Sequence, residues 1–282
     1  MTPVELSLAL TPRSRFDLID VRALTQDVHG GALDAYRRRL YVSRHTTAGF
    51  LPQGLAARLT ARPEAIKSYL DLFRAMFPEG AGYRHDQLEL REELAPEQRA
   101  AEPTNGDAHL LFIGGGLKSC VSYDARRSCP APLVELDGTY KGTPRKREAT
   151  IVGYNDEIEV ARTTLRVPVS MHPFEAVNLK QSRLGFYEEI GGLIARHGVT
   201  KGRVRLELPA SEQAASLTVN EYETLLMQHD LAEVLRNPLR FAAEKARHAW
   251  DDPGAVPAKA QVQAKAVKGA QTLADRFSQA RR

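Results

Sequence analysis

Alternating apolar and polar residues predict several β-strands in the first half of the chain. Apolar residues recur at every second position from Val4 to Leu10, which is the period of a half-buried strand. The run 38–43 predicts a second strand, which ends just before His45. Further short β-like runs are separated by glycine turns, and they cover residues 109–113, 119–123, 132–137 and 148–154.

A helix with one apolar face interrupts these strands. It opens at Pro63-Glu64, stops at Pro78, and places on one side the apolar residues Ile66, Leu70, Phe73 and Phe77. A helix combined with several β-ribbons, without regular βαβ alternation, is typical of an α+β domain. The sequence therefore predicts an α+β fold with a mixed β-sheet packed against helices.

The same order of elements begins again after about residue 160. Strand patterns at 164–169 and 203–208 alternate with helix patterns at 187–197 and 220–235. This order of strand, helix, strand and helix matches that of residues 4–77. We therefore expect one domain over residues 1–158, a partial and diverged repeat over 159–250, and an Ala/Lys-rich basic tail over 251–282.

Composition and charge narrow the class of protein. The chain has 282 residues, of which 43% are hydrophobic and 26% charged, as in ordinary globular domains. No window approaches the roughly 18 apolar residues that cross a bilayer, and no signal peptide is visible. These features predict a cytoplasmic protein without a membrane partner. Two cysteines, Cys120 and Cys129, match neither a zinc spacing nor a disulfide framework.

The net charge is +4, and the tail contributes to it. Residues 251–282 contain six basic and three acidic side chains. Such a segment is either a solvated helix face or a surface that attracts the phosphate backbone of nucleic acid.

Three histidines lie near the ends of predicted elements in the first half, namely His45, His85 and His109. Three imidazoles can bind Zn²⁺ while leaving one position open for water or substrate. They can also transfer protons, because histidine titrates near neutral pH. The sequence alone leaves both uses open.

Two arginines alternate on the predicted last strand of this half. Side chains at Arg145 and Arg147 would point to one face, where they would either bind phosphate through bidentate hydrogen bonds or lie in solvent. Ser119 is a further candidate for holding a ligand oxygen.

Four motifs, in order between Val4 and Tyr154, resemble the YjbQ-like family, whose members are often labelled secondary thiamine-phosphate synthases. They are HTTAG from His45, YRHD ending at Asp86, AHL around His109 with GLKS ending at Ser119, and PRKR ending at Arg147. The resemblance implies a compact α+β fold, a homotrimer, and weak thiamine-phosphate-synthase activity on phosphorylated small molecules.

The resemblance also implies roles for the candidate residues. His45, His85 and His109 would be ligands of a divalent transition metal such as zinc, or acid/base groups. Asp86 would orient His85. The residues that would bind the substrate are Ser119, Arg145 and Arg147, joined by Glu221 from the second half of the chain.

The chain departs from the family pattern in two places. Gln53-Gly54 stands where the family has Asn-Glu, and residues 137–140 stand in the region of the family's GTWQ. The second half instead contains ASLTVNE ending at Glu221. Either Glu221 completes a composite site with the three histidines, or the second copy is a structural extension. The alternative function is a non-catalytic scaffold, or a protein that binds nucleic acid through its tail.

Overall fold

The computed structural model describes residues 1–62, 64–91, 94–171 and 177–212, together with residues 215, 217 and 243. The strands are β1 (Val4–Leu10), β2 (Asp17–Asp20), β3 (Arg38–Ser43), β4 (Ala48–Phe50), β5 (Cys120–Asp124), β6 (Pro132–Glu135), β7 (Thr139–Tyr140), β8 (Thr143–Pro144) and β9 (Arg147–Tyr154). The helices are α1 (Val21–His29), α2 (Gln53–Thr60), α3 (Ala65–Met76), α4 (Pro96–Ala101), α5 (Gly106–Gly114) and α6 (Phe186–Arg196).

The larger sheet has the strand order β1-β9-β3-β5, with β9 in its interior. Ile151 of β9 lies opposite Leu6 on one side and Tyr41 on the other. A second sheet has the order β2-β6-β4, and β7 and β8 form a hairpin. Strands β3 and β4 are joined by residues 44–47, so this loop connects the two sheets.

Helices α3 and α5 supply much of the hydrophobic core. In α3 the buried side chains Ile66, Leu70 and Phe73 repeat at helical spacing. Helix α5 is buried over seven consecutive residues, from Gly106 to Phe112. Burial all around a helix is the mark of a helix that runs through the interior of a domain.

The α+β prediction for the first half is confirmed, with two corrections. Every strand pair in the described residues is antiparallel, so the sheets are not mixed. The run 109–113 is part of helix α5 and not a strand. A short apolar run that is buried on all sides has no alternating face, and periodicity therefore cannot separate the two elements.

The second half agrees with its predicted pattern only in part. The helix predicted over 187–197 is confirmed as α6. The strands predicted over 164–169 and 203–208 are wrong, because the described residues there adopt no strand. Their apolar residues Val169, Val204 and Leu206 are exposed. All strand pairs of the described residues lie between Val4 and Tyr154, so no ladder hydrogen bonds hold these segments as strands.

The helix predicted over 220–235, Glu221 and the tail 251–282 lie outside the described residues. The domain limits at residues 158 and 250 therefore stay predictions. Both cysteines are free, with Cys120 exposed and Cys129 buried. None of the helices in the described ranges has the length and apolar character needed to span a bilayer.

Candidate functional site

The loop 44–47 carries the first candidate histidine, and local hydrogen bonds close it. The Ser43 hydroxyl donates to the carbonyl of Ala48 at 2.7 Å and accepts from the His45 backbone N–H at 3.3 Å. The carbonyl of Thr47 accepts the N–H of Leu136 at 3.0 Å, which ties the loop to the end of β6. His45 therefore lies on a loop whose backbone is held by hydrogen bonds at both ends.

The imidazole of His45 is half-buried beside two arginines. Its Nε2 accepts the backbone N–H of Glu148 at 3.2 Å, so in the neutral ring the proton sits on Nδ1. Burial lowers the pKa of His45 below its ordinary value, and the charge of Arg147 lowers it further. A neutral imidazole with an Nδ1–H donor is therefore the favoured form near pH 7.

His85 and His109 form a separate, buried pair. Their ring centroids are 4.8 Å apart, with the planes tilted by 48°. The Nδ1 of His85 lies 2.9 Å from Oδ1 of Asp86, and the same oxygen accepts the N–H of Gly106 at 2.8 Å. The carboxylate thus contacts the His85 ring at Nδ1, which makes Nε2 the acceptor nitrogen of the neutral form.

A glycine permits this close packing. A Cβ at Gly106 would lie 3.0 Å from Cβ of Tyr83 and 3.2 Å from Cβ of His85. The first turn of α5 can therefore approach the turn that carries His85 and Asp86.

The three histidines do not form one metal set in the described part of the chain. No group of three or more His, Cys, Asp or Glu side chains there is placed to hold a metal ion. The structure brings His85, Asp86 and His109 together, whereas the Nε2 of His45 already accepts a backbone N–H. A three-histidine metal centre therefore does not fit the described residues.

Arg147 is buried, and its guanidinium donates hydrogen bonds to other buried groups of the domain. Its guanidinium forms a fork on Glu135, with Nε–Oε2 at 2.6 Å and Nη2–Oε1 at 3.0 Å. Nη2 also donates to the carbonyl of Asp137 at 2.9 Å. Glu135 is fully buried. The prediction that Arg145 and Arg147 share one ligand-binding face is therefore corrected, because Arg147 is engaged in an internal ion pair.

Arg145 has different surroundings, although it is only two residues away. Its side chain is 25% exposed, and Nη2 lies 3.1 Å from Oδ2 of Asp137. Its Nε is buried and has no hydrogen-bond partner among the described residues. Its guanidinium carbon lies 5.5 Å from the ring centre of Tyr140. Arg145 thus keeps an unused donor, which a bound oxyanion would satisfy.

Ser119 shares this feature. Its Oγ is buried without a hydrogen-bond partner in the part of the chain that the structure describes. Its carbonyl accepts the N–H of Ser43 at 2.7 Å, which places Ser119 next to the His45 loop. Two of the predicted substrate-binding residues, Ser119 and Arg145, therefore carry unsatisfied polar atoms, and a third, Arg147, does not.

Sequence reasoning missed a group of buried carboxylates that joins these parts. Asp137 accepts the side-chain N–H of Asn105 at 2.8 Å. Arg15 forms a fork on Asp107, with distances of 2.9 and 2.8 Å. Asp107 is 92 residues from Arg15 in the chain, and no local spacing could have paired them. Burial raises the pKa of Asp137, while the charge of Arg145 opposes the rise.

Among protein families, curated proteins and solved structures, only solved structures match the chain. No family model and no curated protein matches the chain. A hypothetical protein from Aeropyrum pernix is 16% identical with a TM-score of 0.38, and the match covers 54% of this chain and 99% of that one. A YbjQ-like protein of unknown function from Sulfolobus solfataricus is 16% identical with a TM-score of 0.35, over 55% and 99% of the two chains.

A third match is an uncharacterized conserved protein of the yjbq/upf0047 family from Clostridium acetobutylicum. It is 16% identical with a TM-score of 0.32, and the match covers 52% of this chain and 97% of that one. At this identity the likeness concerns the fold alone.

Proposed function

We propose that this chain is a YjbQ-like protein that binds a phosphorylated small molecule beside the loop 44–47. The observation that supports the proposal is the contrast between the two arginines. Arg147 is held in a fork on Glu135, whereas Arg145 is partly exposed and has a buried Nε without a partner in the described residues. An anionic ligand is the group that would complete the hydrogen bonding of Arg145.

His45 and Ser119 would contribute to the same ligand. The neutral His45 ring has Nδ1–H as its remaining donor, since Nε2 accepts the Glu148 N–H. A phosphate oxygen accepts such a donor well, because charge-assisted hydrogen bonds are the strong ones. The Ser119 carbonyl accepts the N–H of Ser43 just before this loop, and the Ser119 hydroxyl lacks a partner among the described residues.

The resemblance adds a reaction to this binding function. It implies the joining of a pyrimidine diphosphate to a thiazole phosphate, both of which carry phosphate groups of the kind proposed here. In that reaction pyrophosphate leaves the pyrimidine as the bond to the thiazole forms, and the Nδ1–H of His45 would donate a hydrogen bond to a phosphate oxygen of the departing group. The pair His85–His109, with Asp86 against His85, would provide a second acid/base group.

The proposal also includes a divalent transition metal such as zinc, held by two of the three histidines. The carboxylate on Nδ1 of His85 is the outer partner that metal-ligating histidines usually have. His85 and His109 would supply two ligands of the metal. Metal analysis of the purified protein and of a His109→Ala variant tests this part. Stoichiometric metal that the variant loses would support it, and metal-free protein that cannot be reloaded would exclude it.

The binding proposal is tested by titrating the protein with inorganic pyrophosphate in a calorimeter. We expect Arg145→Met to weaken binding by about tenfold or more, because a hydrogen bond to a charged group contributes about 1.5–3 kcal/mol. Lys146→Met is the matched control, since this neighbouring cation is fully on the surface. Equal affinities of wild type and Arg145→Met would contradict the proposal. Formation of thiamine phosphate by wild type and by His45→Gln then tests the reaction.

A further inference from the structure

Asp137 lies at the point where the elements of the proposed site meet. Its carboxylate is 2% exposed. It accepts the Asn105 side-chain N–H at 2.8 Å, lies 3.1 Å from Nη2 of Arg145, and lies 3.9 Å from Nε of Arg15. The carboxylate is therefore a buried anion in contact with the same arginine that we propose binds the ligand.

The backbone of Asp137 is fixed independently of its side chain. Its N–H donates to Oε1 of Glu135 at 2.8 Å, and its carbonyl accepts Nη2 of Arg147 at 2.9 Å. A change in the charge of the Asp137 side chain would therefore leave the main-chain position of the residue held. This separates the electrostatic role of the carboxylate from its role in folding.

Arg145 is held less completely by Asp137 than Arg147 is by Glu135 or Arg15 by Asp107. Arg147 makes two hydrogen bonds to Glu135, and Arg15 makes two to Asp107. Arg145 makes a single approach to Asp137, and its Nε is unsatisfied within the described residues. A phosphate or sulfate that offers two oxygens would bind Arg145 in the bidentate geometry that Asp137 does not provide.

We propose that Asp137 competes with the anionic group of the ligand for Arg145, so that proton uptake by Asp137 releases Arg145 and strengthens anion binding. The inference rests on the proposed function, and it makes Asp137 the residue that sets the affinity of the site. The Asp137 carboxylate is an internal counter-ion of Arg145 that the ligand has to displace.

The charges around Asp137 define the direction of the pH effect. Burial raises the pKa of Asp137 above its ordinary value, although Arg145, Arg15 and Arg147 oppose the rise, as does the hydrogen bond from Asn105. Asp137 therefore takes up a proton at a higher pH than an exposed aspartate does. Neutral Asp137 no longer neutralises Arg145, and anion affinity then increases as the pH falls.

Protonation of His45 would also increase anion affinity as the pH falls, so its contribution has to be separated from that of Asp137. Protonation adds a positive charge to His45, whose pKa is lowered by burial and by Arg147. A His45→Gln background removes that contribution. Gln retains an oxygen that can accept the Glu148 N–H.

The experiment measures the affinity of the full chain for sulfate by calorimetry, at constant ionic strength, from about pH 7.5 down to about pH 3.5, below the ordinary pKa of aspartate. Sulfate is the probe because it stays dianionic over this range. We expect wild-type affinity to rise as the pH falls, and the rise to persist in His45→Gln. Asp137→Asn should bind sulfate about tenfold more tightly near pH 7.5, equivalent to one pKa unit of interaction, and should lose most of the pH dependence. Arg145→Met should bind weakly at every pH.

The outcomes separate the two proposals. Sulfate binding that depends on Arg145 but is the same in Asp137→Asn and wild type, with the same pH dependence, would overturn the inference and leave the proposed function standing. Binding that no variant alters, or no binding at all, would overturn the proposed function and the inference together. Should Asp137→Asn fail to fold, the pH dependence of the other chains decides. A pH dependence of sulfate affinity that is lost in Arg145→Met but kept in His45→Gln would support the inference. A pH dependence that is lost in His45→Gln would overturn it.

Discussion

Arg145 and Arg147 show how strongly the surroundings of a residue decide its role. Both belong to the same basic motif, but Arg147 packs against the fully buried Glu135 while Arg145 remains 25% exposed. A buried charge is stable only when a counter-charge and hydrogen bonds replace its lost hydration. Arg147 therefore belongs to the core of the domain, and Arg145 is the arginine that can exchange partners.

Arg147→Met should destabilise the domain strongly, because it leaves the carboxylate of Glu135 buried without its partner. We expect a loss of about 3–5 kcal/mol in the free energy of unfolding, measured by urea denaturation. The double variant Arg147→Met/Glu135→Leu should recover most of this loss, since it removes the unpaired charge. Arg145→Met is the matched control and should cost much less. A single Arg147→Met variant as stable as the control would show that Glu135 is satisfied by other groups.

His45 should make the stability of the domain depend on pH. Its pKa in the folded chain is lowered, mainly by burial, so the unfolded chain binds the proton more readily. Stability should therefore fall as the pH falls from about 7.5 through the ordinary histidine value of about 6.5 towards the folded pKa. Comparing urea denaturation of wild type and His45→Gln across this range isolates the effect, which should be smaller in the variant. An identical pH dependence in the two proteins would contradict it.

At the scale of elements, strand β4 and helix α5 pack so closely that one glycine is required. A Cβ at Gly49 would lie 2.5 Å from Cε2 of Phe112 and 3.0 Å from the carbonyl oxygen of Lys118. The glycine of the HTTAG motif thus has a packing reason, independent of any ligand.

Gly49→Ala should cost about 1–3 kcal/mol of stability, because the added methyl group overpacks the contact between β4 and α5. Gly54→Ala is the matched control within the same stretch of chain. Gly54 lies in α2, where an added Cβ would meet nothing within 4 Å, so this substitution should stabilise the domain by about 0.4–1 kcal/mol. Thermal or urea unfolding of the two variants gives the comparison. Equal effects would mean that α5 can shift to accept the methyl group.

The sequence predicts an element correctly when that element is buried on one side only, because its apolar residues then recur at the period of a strand or a helix. Strand β1 alternates and helix α3 has an apolar stripe, so both were predicted within a few residues. Helix α5 was missed because it is buried on every side, and the short strand β4 because its three residues are all buried. The strand pattern at 203–208 gave a wrong prediction, since alternation alone does not supply the ladder hydrogen bonds that define a strand, and the described residues there form none.

The candidate site was predictable only through motif residues, for the same physical reason. The association of His85 with Asp86 is local and follows from adjacent positions. The contacts Arg15–Asp107 and Asn105–Asp137 join residues that are far apart in the chain. Long-range pairs of this kind depend on the packed fold, and a single sequence contains no spacing that identifies them.

At the scale of the whole molecule, the two halves of the chain carry the two alternative functions. Within the described residues, all strand pairing lies between Val4 and Tyr154. The six basic and three acidic side chains of residues 251–282 are the main charge asymmetry of the sequence. The scaffold or nucleic-acid alternative therefore depends on the tail, while the ligand proposal depends on Arg145.

Retention on heparin as salt rises separates these two surfaces. We expect the full chain with Lys259, Lys265 and Lys268 replaced by Gln to elute at clearly lower salt than wild type, because each cation that contacts the polyanion releases a counterion. Arg145→Met should elute close to wild type, since one partly exposed arginine beside Asp137 contributes little to a diffuse interaction. Pyrophosphate affinity should change in the opposite order, falling in Arg145→Met and staying unchanged in the lysine variant. Loss of both properties in the lysine variant would mean that the tail takes part in the ligand site, and that the two functions are not separate.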